Sequence, residues 1–131
     1  MGAADVNLNT RWHATLASPR SLAGAVQMSG EATMAPAPDG RTTVTLALAN
    51  ATAGGLHPWQ LHLGQCGADQ GLLGAASSYA PLRVADDGRA SASATLPVAT
   101  PVAGAYFVSV QASSGNPQTV VACGNLAPPT R

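Results

Sequence analysis

Apolar and polar side chains alternate residue by residue through much of this chain, a period of two that suits a pleated strand with one buried face and does not suit a helix. Residues 43–49 set Val44, Leu46 and Leu48 against Thr43, Thr45 and Ala47. Residues 106–112 put Tyr106, Val108 and Val110 on an inner face and Phe107, Ser109 and Gln111 on an outer one. Trp59, Leu61 and Leu63 alternate in the same way with Gln60, His62 and Gly64. Shorter stretches of this kind cover residues 12–17, 24–34 (with a bulge at Ser29-Gly30), 90–96 and 119–124. Turn signals separate them: Pro38-Asp39-Gly40, Ala53-Gly54-Gly55, Asp86-Asp87-Gly88 and Ser114-Gly115-Asn116-Pro117. No segment carries the 3.6-residue period, because glycine, proline and Ser/Thr interrupt the many alanines. The expectation is an all-β domain, a sandwich or Greek-key barrel of about eight antiparallel strands. One domain spans 11–126, with a flexible segment at 1–10 and a tail at 127–131. Residues 67–87 read as a long irregular stretch, pinned where it begins at Cys66.

Charge narrows the function classes. Only 9% of the residues are charged and the formal net charge is +0, so there is no basic field for nucleic acid. The apolar runs are too short and too interrupted for a membrane-spanning helix, and no membrane insertion is expected. All six basic residues are arginine. With no lysine there is no Schiff-base chemistry and no phosphate loop of the Walker type. Glu31 is the one glutamate, which leaves a paired-carboxylate glycosidase to aspartates in turns. No G-x-S-x-G elbow is present, and the histidines lack a flanking acid at motif spacing, so a Ser-His-Asp hydrolase is not expected.

Cys66 and Cys123 stand 57 residues apart, without C-x-x-C or zinc-finger spacing. They are either two buried thiols or a disulfide, and a loop of that length would stabilise the fold by about 4 kcal/mol and imply an oxidising compartment. The opening Met1-Gly2-Ala3-Ala4-Asp5 has neither a charged nor an apolar leader region, so the sequence as it stands carries no signal peptide.

Gly55-Leu56-His57-Pro58-Trp59-Gln60-Leu61-His62, with Gly64 and Cys66 shortly after, resembles the G-x-H-G-F-H-V-H strand of the Cu/Zn superoxide dismutase family. Val121-Ala122-Cys123-Gly124 resembles that family's L-A-C-G, whose cysteine pairs with the earlier one. Residues 106–111 stand where the family has a further copper-binding strand, and residues 67–87 where it has its zinc loop. A chordin-type β domain carries histidine and glycine in a comparable context, but the Ala-Cys-Gly strand favours the dismutase family. The resemblance implies an eight-stranded Greek-key barrel, an extracytoplasmic (periplasmic or secreted) location, and a Cys66–Cys123 disulfide.

Carried over residue by residue, the resemblance implies a degenerate metal site. The copper-ligating H-x-H pair becomes Gln60 and His62, and the ligand of the later strand becomes Gln111. An amide is a poor copper ligand. The 67–87 stretch holds no histidine, and its late carboxylates are Asp86 and Asp87, so zinc is not expected. The family's anion-guiding arginine is replaced by Val120. His62 stays the candidate copper ligand. His57 matches a structural histidine, Gln60 and Gln111 are expected to bond to one another or to His62, and His13 is expected in solvent. Met28 and Met34 are read as core filler rather than soft ligands. The expected function is a non-catalytic structural, binding or dimerising module, with outward Phe107 suited to pairing two copies. The alternative is a copper-only dismutase or weak copper carrier acting through His62.

Overall fold

The computed structural model describes residues 11–19 and 27–129. Ten strands follow in order: β1 (Trp12–Ala17), β2 (Ser29–Ala37), β3 (Arg41–Ala49), β4 (Leu56–His57), β5 (Trp59–Gln65), β6 (Ala68–Leu72), β7 (Leu82–Arg83), β8 (Ala90–Leu96), β9 (Tyr106–Ser113) and β10 (Asn116–Asn125). Eight of them form one curled antiparallel sheet in the order β6-β5-β9-β10-β1-β2-β3-β8. The other two, β4 and β7, make a short ribbon that lies against β9 and β8. Among the described residues no helix is long and apolar enough to cross a membrane.

Alternation fixes which side chains turn inward. On β1 Trp12, Ala14 and Leu16 are buried while His13, Thr15 and Ala17 are exposed, and on β3 Thr42, Val44, Leu46 and Leu48 take the inner positions. Trp59, Leu61, Val108 and Val110 meet them from β5 and β9, so one core fills the concave side of the sheet. Trp12 and Trp59 are both almost fully buried, and each indole N–H reaches a carbonyl, Pro101 O at 2.9 Å and Ala80 O at 2.6 Å. Met28 and Met34 are core residues.

Two positions, one in a turn and one in a strand, show why the backbone needs particular residues. Between β2 and β3, Asp39 and Gly40 both adopt positive φ (65° and 71°), the geometry a tight hairpin demands and that Asp-Gly supplies. On β10, a Cβ at Gly124 would run into the Thr15 carbonyl of β1, so glycine permits the close approach of these strands. Ser29 and Gly30 pair in regular register with both β1 and β3, so the expected bulge is absent. Residues 24–26 of that expected strand lie outside the described residues, as do 1–10, 130 and 131. Ala127 exchanges two backbone hydrogen bonds with His13.

The stretch 67–87 is not a structureless loop. It contains β6, a 3₁₀ turn at Ala76–Ser78, and β7. Cys66 is one of several anchors. The Tyr79 hydroxyl donates to Leu73 O, and the Tyr79 ring packs edge-on to Trp59 with centroids 5.1 Å apart. Burial pushes the Tyr79 phenol up from 10.0 to about 12, with a backbone contact to Leu61 pulling weakly the other way. The neutral phenol is therefore the form that folding favours. Its contribution is complete below pH 10 and is lost as the pH rises toward 12. Ultraviolet difference titration of a Tyr106→Phe variant, which isolates Tyr79, is expected to show a phenolate midpoint near pH 12; a midpoint at 10 would mean that this segment does not bury the ring.

Candidate functional site

The outer face of β5 and β9 carries the polar residues that the inner face excludes. Gln60 pairs with Ser109 across the two strands and His62 with Phe107, so period two brings these four and Gln111 onto one surface. That surface is covered. Residues 17–19 after β1, the Cys66-Gly67 turn, Asp69 of β6, and Val120 and Cys123 of β10 rise around it to leave a cleft of about 940 Å³. As a result the outward residues are shielded from solvent: Phe107 is 4% exposed, Ser109 2%, Gln111 6% and His62 7%. Phe107, expected on an open face, lies flat against the His62 ring with centroids 4.8 Å apart and planes 12° from parallel.

At the floor of the cleft Ser109 joins the two side chains that sequence singled out. His62 Nε2 lies 3.1 Å from Ser109 Oγ, and the Gln111 amide donates to the same Oγ at 2.6 Å. The expected bond between Gln60 and Gln111 is replaced by this contact within β9, while Gln60 lines the same cleft. His62 Nδ1 lies 3.2 Å from Asp69 Oδ1. The carboxylate sits off the hydrogen-bonding line of that nitrogen, which is why Nδ1 has a close charged neighbour and yet no hydrogen-bond partner. The same Oδ1 accepts the Gly71 N–H at 2.9 Å, which fixes the carboxylate locally. Gln111 Oε1 is also buried without a partner.

His57 plays a separate part. It is 8% exposed and does not line the cleft. Its Nδ1 lies 3.0 Å from the Gln111 carbonyl, which can only accept, so Nδ1 carries the proton and ties β4 to β9. His57 Nε2 is then a buried acceptor with no partner. His13 faces outward on β1, away from the cleft, exposed and 3.2 Å from Glu31. Asp86 and Asp87 are exposed in the turn before β8, where Asp87 Oδ1 accepts the Arg89 N–H.

Cys66 and Cys123 are joined in a disulfide with their Cα atoms 6.1 Å apart, and both line the cleft. The bond is the seam between the β5–β6 turn and β10, reinforced by the Cys66 N–H donating to Asn125 Oδ1 at 2.8 Å. The chain matches no family model and no curated protein.

Copper, which the sequence resemblance implies, does not suit this donor set. Among the described residues no three His, Cys, Asp or Glu side chains gather as a metal-holding group. At the cleft a single imidazole is present, its Nε2 engaged by a hydroxyl, and its neighbours are neutral amides and the one Asp69 carboxylate, too few strong donors to hold copper. Ser109 and Asp69 are the site residues that sequence reasoning passed over. Ser109 was already placed on the correct face by the alternation of 106–112. For Asp69 the usable signal was the Gln65-Cys66-Gly67-Ala68 turn, which folds β6 back along β5 and sets Asp69 opposite Gly64.

Proposed function

We infer that this chain is an extracytoplasmic member of the Cu/Zn superoxide dismutase-like class, a Greek-key barrel in which the position of the copper site has become a metal-free, redox-inactive cleft that binds a small ligand. One observation carries the reading. His62 Nε2 is held by Ser109 Oγ at 3.1 Å, and the residues at the other expected ligand positions on these strands are amides. The orphaned Gln111 Oε1 supports the binding part of the proposal. A buried acceptor without a donor costs about 1–3 kcal/mol, which a ligand N–H or O–H entering the cleft would recover. The disulfide supports an oxidising compartment. The sheet order, in which β9 lies between β5 and β10 and β1 joins β10 to β2, supports a Greek-key connection.

The test is metal titration of apo protein with elemental analysis, a superoxide assay, and melting with and without chelator. Retained copper at background level and an unchanged melting temperature in chelator are expected, because hydrogen bonds and not coordination hold β5 to β9. Stoichiometric copper with dismutation would replace this reading by a copper enzyme acting through His62.

A further inference from the structure

We propose that Ser109 is an acyl-accepting nucleophile, with His62 as its base and Asp69 as the charge beside the base, and that the cleft hydrolyses small acetyl-type esters. The proposal rests on the metal-free reading of the cleft, since a copper ion on His62 would occupy the lone pair it uses.

The hydrogen-bond directions fit this role. Asp69 beside Nδ1 favours the tautomer with the proton on Nδ1, which leaves the Nε2 lone pair facing Ser109. Because the Gln111 amide already donates to Oγ, the serine's own proton is the one that points to Nε2. Nucleophile and base are 3.1 Å apart, within hydrogen-bond reach, while the Asp69 carboxylate, 3.2 Å from Nδ1 without a hydrogen bond, acts on the imidazole through its charge. The Phe107 ring stacked on His62 fixes the plane of the imidazole and gives a protonated ring a favourable face.

The chemistry balances with the ester and water alone. Ser109 Oγ bonds to the ester carbonyl carbon as its proton passes to His62 Nε2. The carbon–alkoxide bond then breaks, the alkoxide takes that proton and leaves as alcohol, and the acyl group stays on Oγ. Water adds to the acyl carbon, giving its proton to His62 Nε2. The Ser109 Oγ–carbon bond breaks, the proton returns to Oγ, and a carboxylic acid departs. The second N–H of Gln111 and the Gln60 amide, which lines the same cleft, supply donors to the carbonyl oxygen as it gains charge. Ser109 lines the cleft and is 2% exposed, which restricts the reaction to small acyl groups.

The absence of lysine makes the test unusually clean, because acetylating reagents meet no lysine amine. The oxidised full chain is incubated in chelator with p-nitrophenyl acetate, followed by intact mass, peptide mapping and steady-state kinetics, with copper measured on the same sample. The expected result is a single acetyl increment on the Ser109 peptide and turnover that survives chelator. Turnover is expected to fall by about 100-fold or more in Ser109→Ala and in His62→Ala. The Asp69→Asn variant is expected to lose about tenfold in kcat with KM and melting temperature unchanged, a modest loss because the carboxylate is half exposed and screened. Should Ser109→Ala melt early, Ser109→Cys keeps the test open through a thioester at the same position. Acetyl found only at the N-terminus, or Ser109→Ala turning over as fast as the parent, overturns the proposal and leaves the metal result, and with it the binding reading, standing.

Discussion

A Cys66→Ser, Cys123→Ser double variant is expected to melt about 15 °C below the parent. The bond closes a loop of 57 residues, which removes about 4 kcal/mol of chain entropy from the unfolded state. For a chain of 131 residues each kcal/mol is worth roughly 4 °C at the midpoint. The native strands lose little else, since the Cys66 N–H keeps its bond to Asn125 Oδ1 and β10 keeps its register with β9. The effect is therefore a shift of the whole transition with its cooperativity intact. Circular dichroism melting of the double variant against the parent, with and without reductant, checks it. A drop under about 3 °C would show that the loop is already constrained in the unfolded chain.

The second large effect is at the other end of the cross-links. Trp59→Ala is expected to cost about 4 kcal/mol, a further shift of roughly 15 °C. Trp59 is 1% exposed, its N–H holds Ala80 O at 2.6 Å, and its ring is the surface against which Tyr79 packs. Truncation opens a cavity and frees the connection between β6 and β7 as well. This gives a readout that melting alone lacks: the Tyr79 phenol loses its burial, and its midpoint falls from about 12 back toward 10. Trp59→Phe fills much of the hole and loses the hydrogen bond, so about 1–2 kcal/mol is expected. Chemical denaturation gives the stabilities. A Trp59→Ala protein whose phenol still titrates near 12 would show that Tyr79 is anchored by its Leu73 bond and not by the indole.

Strands β1 and β8 begin and end where the alternation of their side chains begins and ends, because both have one wet and one buried face throughout. The same signal is silent about β6 and β7. Ala68-Asp69-Gln70-Gly71-Leu72 buries almost nothing along its length, so no apolar period marks it, and β7 is only two residues long. Alternation also tells which side of the sheet a residue faces without telling what lies over that side. Phe107 and Gln111 face the outer surface as alternation has it, yet they are shielded by Val120 of the neighbouring strand and by residues 17–19 and the Cys66-Gly67 turn, which are remote from them in sequence. The relation of His62 to Ser109 and Asp69 depends on that curling. Two of the three stand on paired strands at readable positions, but the hydrogen bond between them is a matter of strand register, which sequence does not encode locally.

The Cys66–Cys123 link has a mechanical side. It turns β6 through β9 and most of β10 into a closed ring, while β1 to β5 stay outside it and hold on through the pairing of β1 with β10, of β3 with β8, of β4 with β7 and of β5 with β6 and β9. Tension applied to the chain ends therefore peels the outer hairpins but cannot lengthen the ring. At roughly 3.5 Å per residue, about 200 Å of contour stays locked until the sulfurs part. Ser109, Gln111 and Asp69 are thus in the part that stretching leaves tethered, while His62 on β5 is in the part that it can pull away.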